Sequence, residues 1–321
     1  MIRHFAAIAA ALVLAAPLAA TAQYPNRPIK LIVPLAAAGT GDTLSRTVGE
    51  EMGRILGQPV VIDNRPGAGG LVGTELVAAA APDGYTLLAV SPSHVINPAL
   101  YTNKKTYDAL KGFEPITVMA NTHQVIVANP SVEAKTLKEL IDYAKKNPGK
   151  LNYGSAGTGS ATHLNMELFK SMAGVDIVHV PYKGSTQARN DVLAGQVQLA
   201  MDGLLPLQPL IKDGRLRPLA ITSSRRAKSN PEIPTIAEAG VPGYASDTWY
   251  GILVPAGTPK EVIRALHAAA VKALNTPAVR DRLEKLGAEP VGNSPEEFRG
   301  LLESEQKLWV KVVKDSGAKV E

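Results

Sequence analysis

The sequence predicts an α/β protein with two mixed sheets, each flanked by helices, and a ligand cleft between them. From residue 29 onwards, short runs rich in valine, isoleucine and leucine alternate with stretches of helical spacing, which is the pattern of sheets covered by helices. About 300 residues remain after a predicted leader, which exceeds the roughly 100–150 residues of an ordinary domain. Two similar glycine-rich loops, one in each half of the chain, indicate that two such units face one another.

The first 22 residues predict a signal peptide. Arg3 and His4 give a basic start, an apolar run follows over residues 5–18, and Ala20-Thr21-Ala22 is a small-x-small cleavage pattern, so the mature chain is expected to begin at Gln23. The alternative is a membrane anchor, which needs about 20 apolar residues. The run is shorter than that and ends in the cleavage pattern, which favours export.

Composition excludes several classes of function. The chain has no cysteine, which rules out disulfides, zinc–thiolate sites, iron–sulfur clusters and cysteine nucleophiles. The formal net charge is +5, and the basic residues are scattered without an aromatic-rich basic stripe, so no nucleic-acid partner is expected. Neither a metal site nor a cofactor is predicted, because four histidines are far apart and none forms a His-x-x-x-His pair: His94, His123, His163 and His179.

The first series of strands and helices runs to residue 90. Its first helix has Leu44 and Val48 on one face, and Asp42 is placed to cap it. Residues 67–70 are glycine-rich and lead into the next helix, and Pro82-Asp83-Gly84 predicts a turn. The predicted strands span 29–35, 58–62 and 85–90, and the predicted helices span 42–56 and 71–81.

A second series follows. Neighbouring strands at 115–120 and 124–128 precede a further alternation of strands and helices, and the chain ends in a strand and three helices. Each of these three helices starts near a proline, which suits the first turn of a helix. The remaining strands span 151–155, 176–181, 197–201, 217–221 and 249–254. The helices span 137–146, 162–172, 187–194, 204–212, 259–275, 277–286 and 295–316.

Two loops share the arrangement of a strand, a run of small residues and a helix start. The first covers residues 35–42 and contains Gly39-Thr40-Gly41, and the second covers residues 155–160 and contains Gly157-Thr158-Gly159. The unpaired N–H groups and partial positive charge of a helix start attract anions, and glycine lets a ligand approach the backbone. Neither loop is a dinucleotide fingerprint or a P-loop. The residues alone leave open whether these loops bind a ligand or are only tight connections.

Serine and histidine residues near the second loop raise the alternative of an exported hydrolase. Ser155, Ser160 and His163 are close in sequence, and Asp202 would have to complete the set in space. The Gly-x-Ser-x-Gly elbow is absent, so no catalytic residue is predicted.

Two further features can each be interpreted in two ways. Asp202 faces a ligand or caps the next helix, and residues 91–94 line a pocket or form a turn.

A series of short motifs runs along the whole mature chain. They are Tyr24-Pro25-Asn26-Arg27-Pro28-Ile29, the loop to Asp42, residues 61–70, Ala81-Pro82-Asp83-Gly84-Tyr85-Thr86-Leu87, His94 with Asn97-Pro98, Asn152-Tyr153-Gly154-Ser155, Val180-Pro181-Tyr182-Lys183-Gly184, Trp249-Tyr250-Gly251 and Pro255-Ala256-Gly257-Thr258-Pro259. Together they resemble, in the same order, the motifs of the Bug-type receptors, which are the periplasmic substrate-binding components of tripartite tricarboxylate transporters.

The resemblance implies a two-domain periplasmic binding protein fold (type II-like) that closes on its ligand. It implies one discontinuous domain of residues 24–121 and 243–321, a second domain of residues 122–242, and two chain crossings that act as hinges. The expected ligand is a small organic, aromatic or amino-acid carboxylate. The expected partners of the monomeric receptor are the membrane permease subunits of a tripartite transporter, and a membrane signalling sensor is the alternative.

In that family one carboxylate sits between the first loops of the two domains, which correspond here to residues 36–42 and 155–162. The cleft loops contain one basic residue, Lys183, so backbone N–H groups are expected to bind the anion. The first loop has less glycine and proline than is common in the family, which favours a ligand with apolar surface. The predicted ligand-binding residues are Ala37, Ala38, Gly39, Thr40, Asp42, Ser91, His94, Ser155, Ala156, Gly157, Thr158, Thr162 and Asp202.

Overall fold

The computed structural model of the protein describes residues 24–35, 37, 39–101, 106–182 and 184–316. The predicted signal peptide, the loop residues Ala36 and Ala38, and Lys183 lie outside the described residues. The described chain forms two mixed sheets flanked by helices, as predicted. None of the helices in this part of the chain has the length and apolar character needed to cross a membrane.

The strands of the described residues divide into a six-stranded and a five-stranded sheet. In chain order they are β1 (Ile29–Val33), β2 (Val60–Asn64), β3 (Thr86–Val90), β4 (Phe113–Thr122), β5 (Gln124–Ala128), β6 (Asn152–Ser155), β7 (Val178–Pro181), β8 (Leu199–Gly203), β9 (Arg217–Ile221), β10 (Thr248–Pro255) and β11 (Ala288–Pro290). The larger sheet has the order β11-β4-β10-β3-β1-β2 and the smaller the order β7-β6-β8-β5-β9. We call these sheets, with the helices that cover them, the first and the second lobe.

Parallel strands in both lobes send their loops to one edge of each sheet. β1 is parallel to β2 and β3, and β6 is parallel to β7 and β8, so the helices that follow these strands start at the carboxyl edges. The helices in chain order are α1 (Thr40–Leu56), α2 (Leu71–Ala78), α3 (Ser93–Leu100), α4 (Leu137–Lys146), α5 (Ala161–Ala173), α6 (Ser185–Leu193), α7 (Leu204–Lys212), α8 (Lys260–Leu274), α9 (Pro277–Lys285) and α10 (Pro295–Ser316).

Helix α1 illustrates how the spacing of apolar residues in the sequence determines which face of a helix is buried. Leu44 and Val48 lie on one face and are fully buried in the core of the first lobe. The helix begins at Thr40, with Gly39 in an extended conformation as its N-cap and no capping side chain. The prediction that Asp42 caps this helix is therefore wrong, because Asp42 lies within the first turn.

The chain passes between the sheets twice. β4 ends at Thr122 in the first lobe and β5 begins at Gln124 in the second, so His123 alone separates them. The return leads from Ile221 at the end of β9 to Thr248 at the start of β10. The two passages lie where the sequence analysis expects hinges, and both that role and the domain boundaries stay predictions.

One buried apolar cluster continues through both lobes. It contains Val118 and Leu253 of the first sheet and Ile126 and Met201 of the second. Helix α10 packs on α3 and β4 of the first lobe and on α5 of the second, and its Trp309 is almost completely buried. The lobes therefore share hydrophobic contacts in addition to the two passages of the chain.

The structure contains two elements that the sequence pattern does not show. Helix α3 covers residues that the sequence suggested as a possible turn, and Pro98 inside it obscures the helical pattern. Strand β11 has three residues, which is too short for an alternation of apolar and polar residues to be recognised. Both elements belong to the first lobe, where α3 contributes to the cleft described next.

Candidate ligand-binding cleft

A cleft of about 580 Å³ lies between the carboxyl edges of the two sheets. Six helices begin at its wall, α1, α2 and α3 from the first lobe and α5, α6 and α7 from the second. The lining residues at these starts are Thr40, Gly70, Ser93, Ala161, Ser185 and Leu204. Each start adds a partial positive charge, so both lobes favour an anion in the cleft. Some of the N–H groups at these starts already donate within the chain, as Gly70 N does to Gly67 O, His94 N to Ser91 O and Leu204 N to His123 O.

The first loop, between β1 and α1, places Gly39, Thr40 and Gly41 in the cleft wall. Gly41 has to be small, because a Cβ there would collide with the side chain of Leu35 and lie 3.0 Å from Tyr250 Cε1. Gly39 is the N-cap and has no side chain with which to bond the N–H groups at this helix start. The wall formed by this loop therefore consists largely of backbone.

Asp42 supports the first loop from behind and does not line the cleft. It is 2% exposed and accepts hydrogen bonds from Asn64 Nδ2 at 2.9 Å and from Arg46 Nε at 3.1 Å. Asn64 Nδ2 also donates to the carbonyl oxygen of Leu35 at 3.2 Å. Asp42 thus ties the start of α1 to β2 and to the end of β1, which makes it a positioning residue.

The second loop, between β6 and α5, is held by hydrogen bonds to its own backbone. Three side chains accept from three loop N–H groups: Thr162 Oγ1 from Ala156 N at 2.9 Å, Ser155 Oγ from Gly157 N at 3.1 Å, and His163 Nδ1 from Gly159 N at 3.2 Å. The φ angles of Gly157 and Gly159 are 117° and 78°, a region that favours glycine. These bonds fix the shape of the loop and engage N–H groups that the sequence suggested as ligand donors.

Two stacked imidazoles lie under the second loop. The ring centroids of His163 and His179 are 4.0 Å apart, and His179 Nε2 lies 2.6 Å from Ser155 Oγ. Burial lowers the pKa of His163, and burial together with the neighbouring His163 lowers the pKa of His179 to about 4. These neutral rings act as hydrogen-bonding groups for the loop. His179 is not among the predicted site residues, because a position on a strand does not reveal its neighbours.

The contact between Ser155 and His179 is not arranged for nucleophilic catalysis. Ser155 is fully buried, lies outside the cleft lining, and its hydroxyl already accepts the N–H of Gly157. Ser160 Oγ caps α5 by accepting from His163 N at 3.3 Å. Because a nucleophile has to reach its substrate, this geometry favours binding over the hydrolase alternative.

Asp202 lies at the end of β8 in the cleft lining and is 7% exposed. Its Oδ1 accepts from Gly203 N at 2.8 Å and its Oδ2 from Arg189 Nη1 at 3.2 Å. Gly203 is the N-cap of α7 and no side chain caps that helix, so the capping interpretation of Asp202 is wrong. Burial raises the pKa of Asp202. Burial and the charge of Asp202 raise the pKa of Tyr250, on the first lobe, to about 12.

The structure brings about half of the predicted site residues into the cleft wall: Gly39, Thr40, Ser91, Ala156, Thr158, Thr162 and Asp202. The other described ones lie outside the lining: Ala37, Asp42, His94, Ser155 and Gly157. His94 is 2% exposed, and its Nε2 lies 2.9 Å from the carbonyl oxygen of Ala109. Its ring stacks on Tyr107, and burial lowers its pKa to about 4. His94 is thus a core residue in this structure, placed behind Ser91 and Ser93.

The cleft floor is formed by residues that the sequence analysis missed, namely Thr122, His123, Gln124, Thr248 and Tyr250. They lie where the chain passes between the lobes. The available signal was the short gap between the predicted strands 115–120 and 124–128. The domain boundary inferred between residues 121 and 122 falls in this gap, but the sequence analysis did not connect the crossing with the floor of the cleft.

The lobes touch across the cleft in two places. A Cβ on Gly159 of the second loop would lie 2.6 Å from Leu100 Cδ1 on α3. A Cβ on Gly287 of the first lobe would lie 3.7 Å from Leu205 Cβ on α7. The structure therefore shows an arrangement in which the two walls are in contact. Within the described chain, no group of three or more His, Asp or Glu side chains is arranged to hold a metal ion.

Comparison with known proteins places the chain in a family. Residues 44–318 match the family model TctC, described as the tripartite tricarboxylate transporter family receptor. This chain belongs to that receptor family. BugT of Bordetella pertussis (strain Tohama I) is 37% identical over 308 residues, which cover 96% of this chain and 94% of BugT. The resemblance to Bug-type receptors is confirmed.

Solved structures similar to this receptor have the same fold. Rpa4515 of R. palustris with adipate superposes with a TM-score of 0.82 at 37% identity, covering 92% of this chain and all of that chain. MatC (Rpa3494) from Rhodopseudomonas palustris with bound malate superposes with a TM-score of 0.78 at 32% identity, covering 90% of this chain and all of that chain. The predicted two-domain fold of a periplasmic binding protein is confirmed.

Proposed function

We propose that this protein is a periplasmic receptor that closes on a small carboxylate ligand and delivers it to membrane permease subunits. The observation that carries the proposal is the convergence of six helix starts from both lobes on one cleft. Adipate and malate, the ligands named for the two similar structures, are both carboxylates. The predicted signal peptide and the family support the periplasmic location.

Backbone donors provide the anion contacts in this proposal. The described lining residues include no lysine or arginine. Since three N–H groups of the second loop are engaged within that loop, the carboxylate takes first-turn N–H groups of α5, at Ala161 and Thr162. It takes the first-turn N–H groups of α1, at Thr40 and Gly41, from the other lobe. Ordered water bridging these donors would cost little affinity.

Apolar side chains in the cleft wall indicate the chemistry of the uncharged part of the ligand. The lining includes Leu35 and Leu100 of the first lobe and Leu204, Leu205 and Pro206 of the second. An aliphatic or aromatic body packed against these side chains gains about 25 cal/mol for each Å² of apolar surface that it buries. The ligand proposed is therefore a carboxylate with an apolar portion, held at its charged end by the helix starts.

Contacts with both lobes explain how binding drives closure. A ligand that reaches both walls only when they approach shifts the equilibrium towards the closed arrangement. The proposed division into residues 24–121 with 243–321, and 122–242, places both chain passages at the hinge. A permease that recognises the closed arrangement of a monomeric receptor would then discriminate between loaded and empty protein.

A thermal-shift screen of the mature protein tests the ligand class. The panel contains adipate, malate, aromatic acids and acidic amino acids, together with the corresponding amides as uncharged controls. A ligand at about 100 times its dissociation constant adds about 2.7 kcal/mol to the free energy of unfolding, which raises the melting temperature by a few degrees. A response to an acid but not to its amide is expected. No response to any acid, in folded protein freed of ligand, would contradict the proposal.

A variant pair tests the location of the site. Gly39→Val adds a branched side chain to the cleft wall at a residue whose φ of −78° and ψ of 170° accommodate valine. Gly300→Val on α10 is the control, because a Cβ at Gly300 meets nothing within 4 Å. Gly39→Val should lose the ligand-induced shift and Gly300→Val should keep it. Equal shifts in the two variants would place the site elsewhere.

Delivery of the ligand to the membrane permease is tested by a separate measurement. Uptake of the identified acid, labelled with carbon-14, is followed in cells that carry the family's permease subunits with or without this receptor. Uptake is expected only when the receptor is present, and Gly39→Val should abolish it. Uptake that is the same with and without the receptor would contradict a role in transport.

A further inference from the structure

Two polar side chains line the cleft from opposite lobes, on either side of its floor. Asp202 lies near the end of β8 in the second lobe, and Tyr250 lies near the start of β10 in the first. Asp202 pairs with Val125, just after the passage between the lobes, and Tyr250 pairs with Ala120, just before it. Strand pairing therefore sets these two side chains on opposite sides of the same passage.

Asp202 offers a hydrogen-bond acceptor to the cleft. The residue is 7% exposed, and its carboxylate accepts from Gly203 N and from Arg189 Nη1, with Ser185 of α6 as a further hydrogen-bonding neighbour. An ionised carboxylate has about four acceptor positions, so a position remains for a ligand. Arg189, whose side chain is 17% exposed, balances the charge of Asp202. The carboxylate therefore accepts a hydrogen bond without acting as a free negative charge that would attract an ammonium group.

Tyr250 adds a hydrogen-bond donor from the first lobe. Its ring packs beside the first loop, where a Cβ on Gly41 would lie 3.0 Å from Tyr250 Cε1. Its hydroxyl makes no hydrogen bond to a described residue. Burial and the charge of Asp202 raise the pKa of Tyr250 to about 12, so the phenol keeps its proton at neutral pH. The influence of Asp202 also shows that the two groups lie within electrostatic range of one another.

Several other hydroxyl groups in the cleft lining already have partners. Ser91 Oγ lies 3.0 Å from Ser93 Oγ in the first lobe, and Ser160 Oγ lies 3.0 Å from Thr162 Oγ1 in the second. A polar group that is shielded from water without a partner is costly. The phenol of Tyr250 therefore gains more from a hydrogen bond to a ligand than these paired hydroxyls do.

We propose that Asp202 and Tyr250 select a hydroxylated carboxylate: the Tyr250 hydroxyl donates to the ligand's hydroxyl oxygen, and the ligand's hydroxyl donates to Asp202. A hydroxyl group accepts and donates at once, which matches a donor on one lobe and an acceptor on the other. A methylene group in its place leaves both protein groups unpaired, and an ammonium group cannot accept from Tyr250. The inference rests on the proposed function and deepens it, since it names the class of acid.

Matched acids test this selection by isothermal titration calorimetry. Each set shares one carbon skeleton with hydrogen, hydroxyl or amino at the same carbon: phenylacetate, mandelate and phenylglycine; butyrate, 3-hydroxybutyrate and 3-aminobutyrate; succinate, malate and aspartate. Within the set that binds most tightly, the hydroxy acid should bind about tenfold more tightly than its two counterparts, which is the net effect of about one hydrogen bond.

Two variants and a control assign the selection to these residues. Tyr250→Phe removes only the hydroxyl, so it should weaken binding of the preferred hydroxy acid about tenfold and of its unsubstituted counterpart less than twofold. Asp202→Asn keeps one oxygen acceptor and should reduce the preference as well. Tyr143→Phe, at an exposed tyrosine of α4 outside the cleft lining, should leave it unchanged. Thermal unfolding checks that every variant is folded.

The outcomes separate this inference from the proposed function. Equal affinity for hydroxy and unsubstituted acids in every set, or tightest binding of an amino acid, would overturn the selection and leave carboxylate binding intact. A preference that is unchanged in Tyr250→Phe would overturn it too. Binding of none of the acids, in folded protein freed of ligand, would overturn both the selection and the proposed function.

Discussion

The two loops that face each other across the cleft are braced in different ways. In the second loop, Ser155, Thr162 and His163 accept hydrogen bonds from the loop's own N–H groups. In the first loop, the helix start has no capping side chain, and Asp42 braces it from behind. The hydrogen bonds of the second loop shape it without a ligand, whereas the helix start of the first loop has no capping side chain and supplies the backbone donors that the proposed function assigns to the ligand. Two similar glycine-rich sequences thus form different walls of the cleft, a rigid one at the second loop and an adaptable one at the first.

The largest expected effect comes from matched glycine substitutions, which compare the rigidity of the two loops. Gly159→Ala places a side chain at a φ of 78° and a Cβ 2.6 Å from Leu100 Cδ1, so it both strains the loop and holds the lobes apart. Calorimetry should show about 100-fold weaker ligand binding, or roughly 2.7 kcal/mol. Gly39→Ala, at a φ of −78°, should change affinity by less than about tenfold, or roughly 1.4 kcal/mol.

Leu100→Ala separates the two causes of the Gly159→Ala defect. It removes the collision but not the strained backbone, so in the Gly159→Ala background it should recover part of the affinity. Equal defects in Gly159→Ala and Gly39→Ala would show that the loops do not differ in rigidity.

Removing one brace from each loop should affect the free energy of unfolding unequally. Ser155→Ala leaves the N–H of Gly157 and the ring of His179 without their buried partner, at a cost of about 1–3 kcal/mol. Asp42→Asn keeps the oxygen that accepts from Asn64 and loses the buried acceptor of the half-exposed Arg46, at a cost of about 1 kcal/mol, the net value of one hydrogen bond. Urea unfolding measures both values. A larger loss in Asp42→Asn would reverse the assignment of the rigid wall.

Acid should weaken the second loop and spare the first. The pKa of His179 is lowered to about 4 in the fold, below the value of about 6.5 for an unfolded histidine, so the unfolded chain binds this proton more readily. Its contribution to stability is complete above about pH 6.5 and is lost as the pH falls towards 4, by at most about 1.4 kcal/mol per pH unit.

Amide hydrogen exchange locates this effect of acid within the molecule. Protection of Gly157 and Gly159 should fall between about pH 6.5 and pH 4, while protection of Thr43, which donates to Gly39 at the start of α1, should not. His179→Gln should flatten the pH dependence in the second loop. A parallel loss at both helix starts would mean that the acid response is global.

The smallest expected difference concerns two threonine hydroxyls. Thr162→Val removes the acceptor of the Ala156 N–H and should cost about 1 kcal/mol of unfolding free energy. Thr40→Val lies at the partly open start of α1 and removes no hydrogen bond within the described chain, so the change should stay within about 0.5 kcal/mol. Thermal unfolding of the pair checks this, and similar losses would indicate that the first loop is braced by its own side chains as well.

Features that depend on local pattern were predictable from the sequence. The two strand–loop–helix units bring Gly39, Thr40, Ala156 and Thr158 to the cleft, because the edge at which such loops emerge follows from the order of strand and helix. The buried face of α1 was predictable for the same reason, since a helical period shows which side chains face the sheet.

Features that depend on distant neighbours were not predictable from local pattern. His94 is drawn into the core by Tyr107 and Phe113, which reach it from a later segment. His179 acquires its role from His163, which belongs to a different element. Nothing in the order of residues reports such contacts, so histidines near a predicted loop are not distinguished as lining, bracing or core groups.

The strand order of the first lobe has a consequence for how the chain is made. β10 lies between β3 and β4, although about 125 residues separate it from β4 along the chain. During synthesis from the N-terminus, the six-stranded sheet therefore lacks its middle strand until the second lobe has been completed. A nascent chain that stops before residue 248 lacks β10 and β11 and would expose three unpaired strand edges, one of β3 and both of β4, which can pair with other chains. The protein can complete its first lobe only when nearly the entire polypeptide is available, which suits the proposed export of the unfolded chain across a membrane.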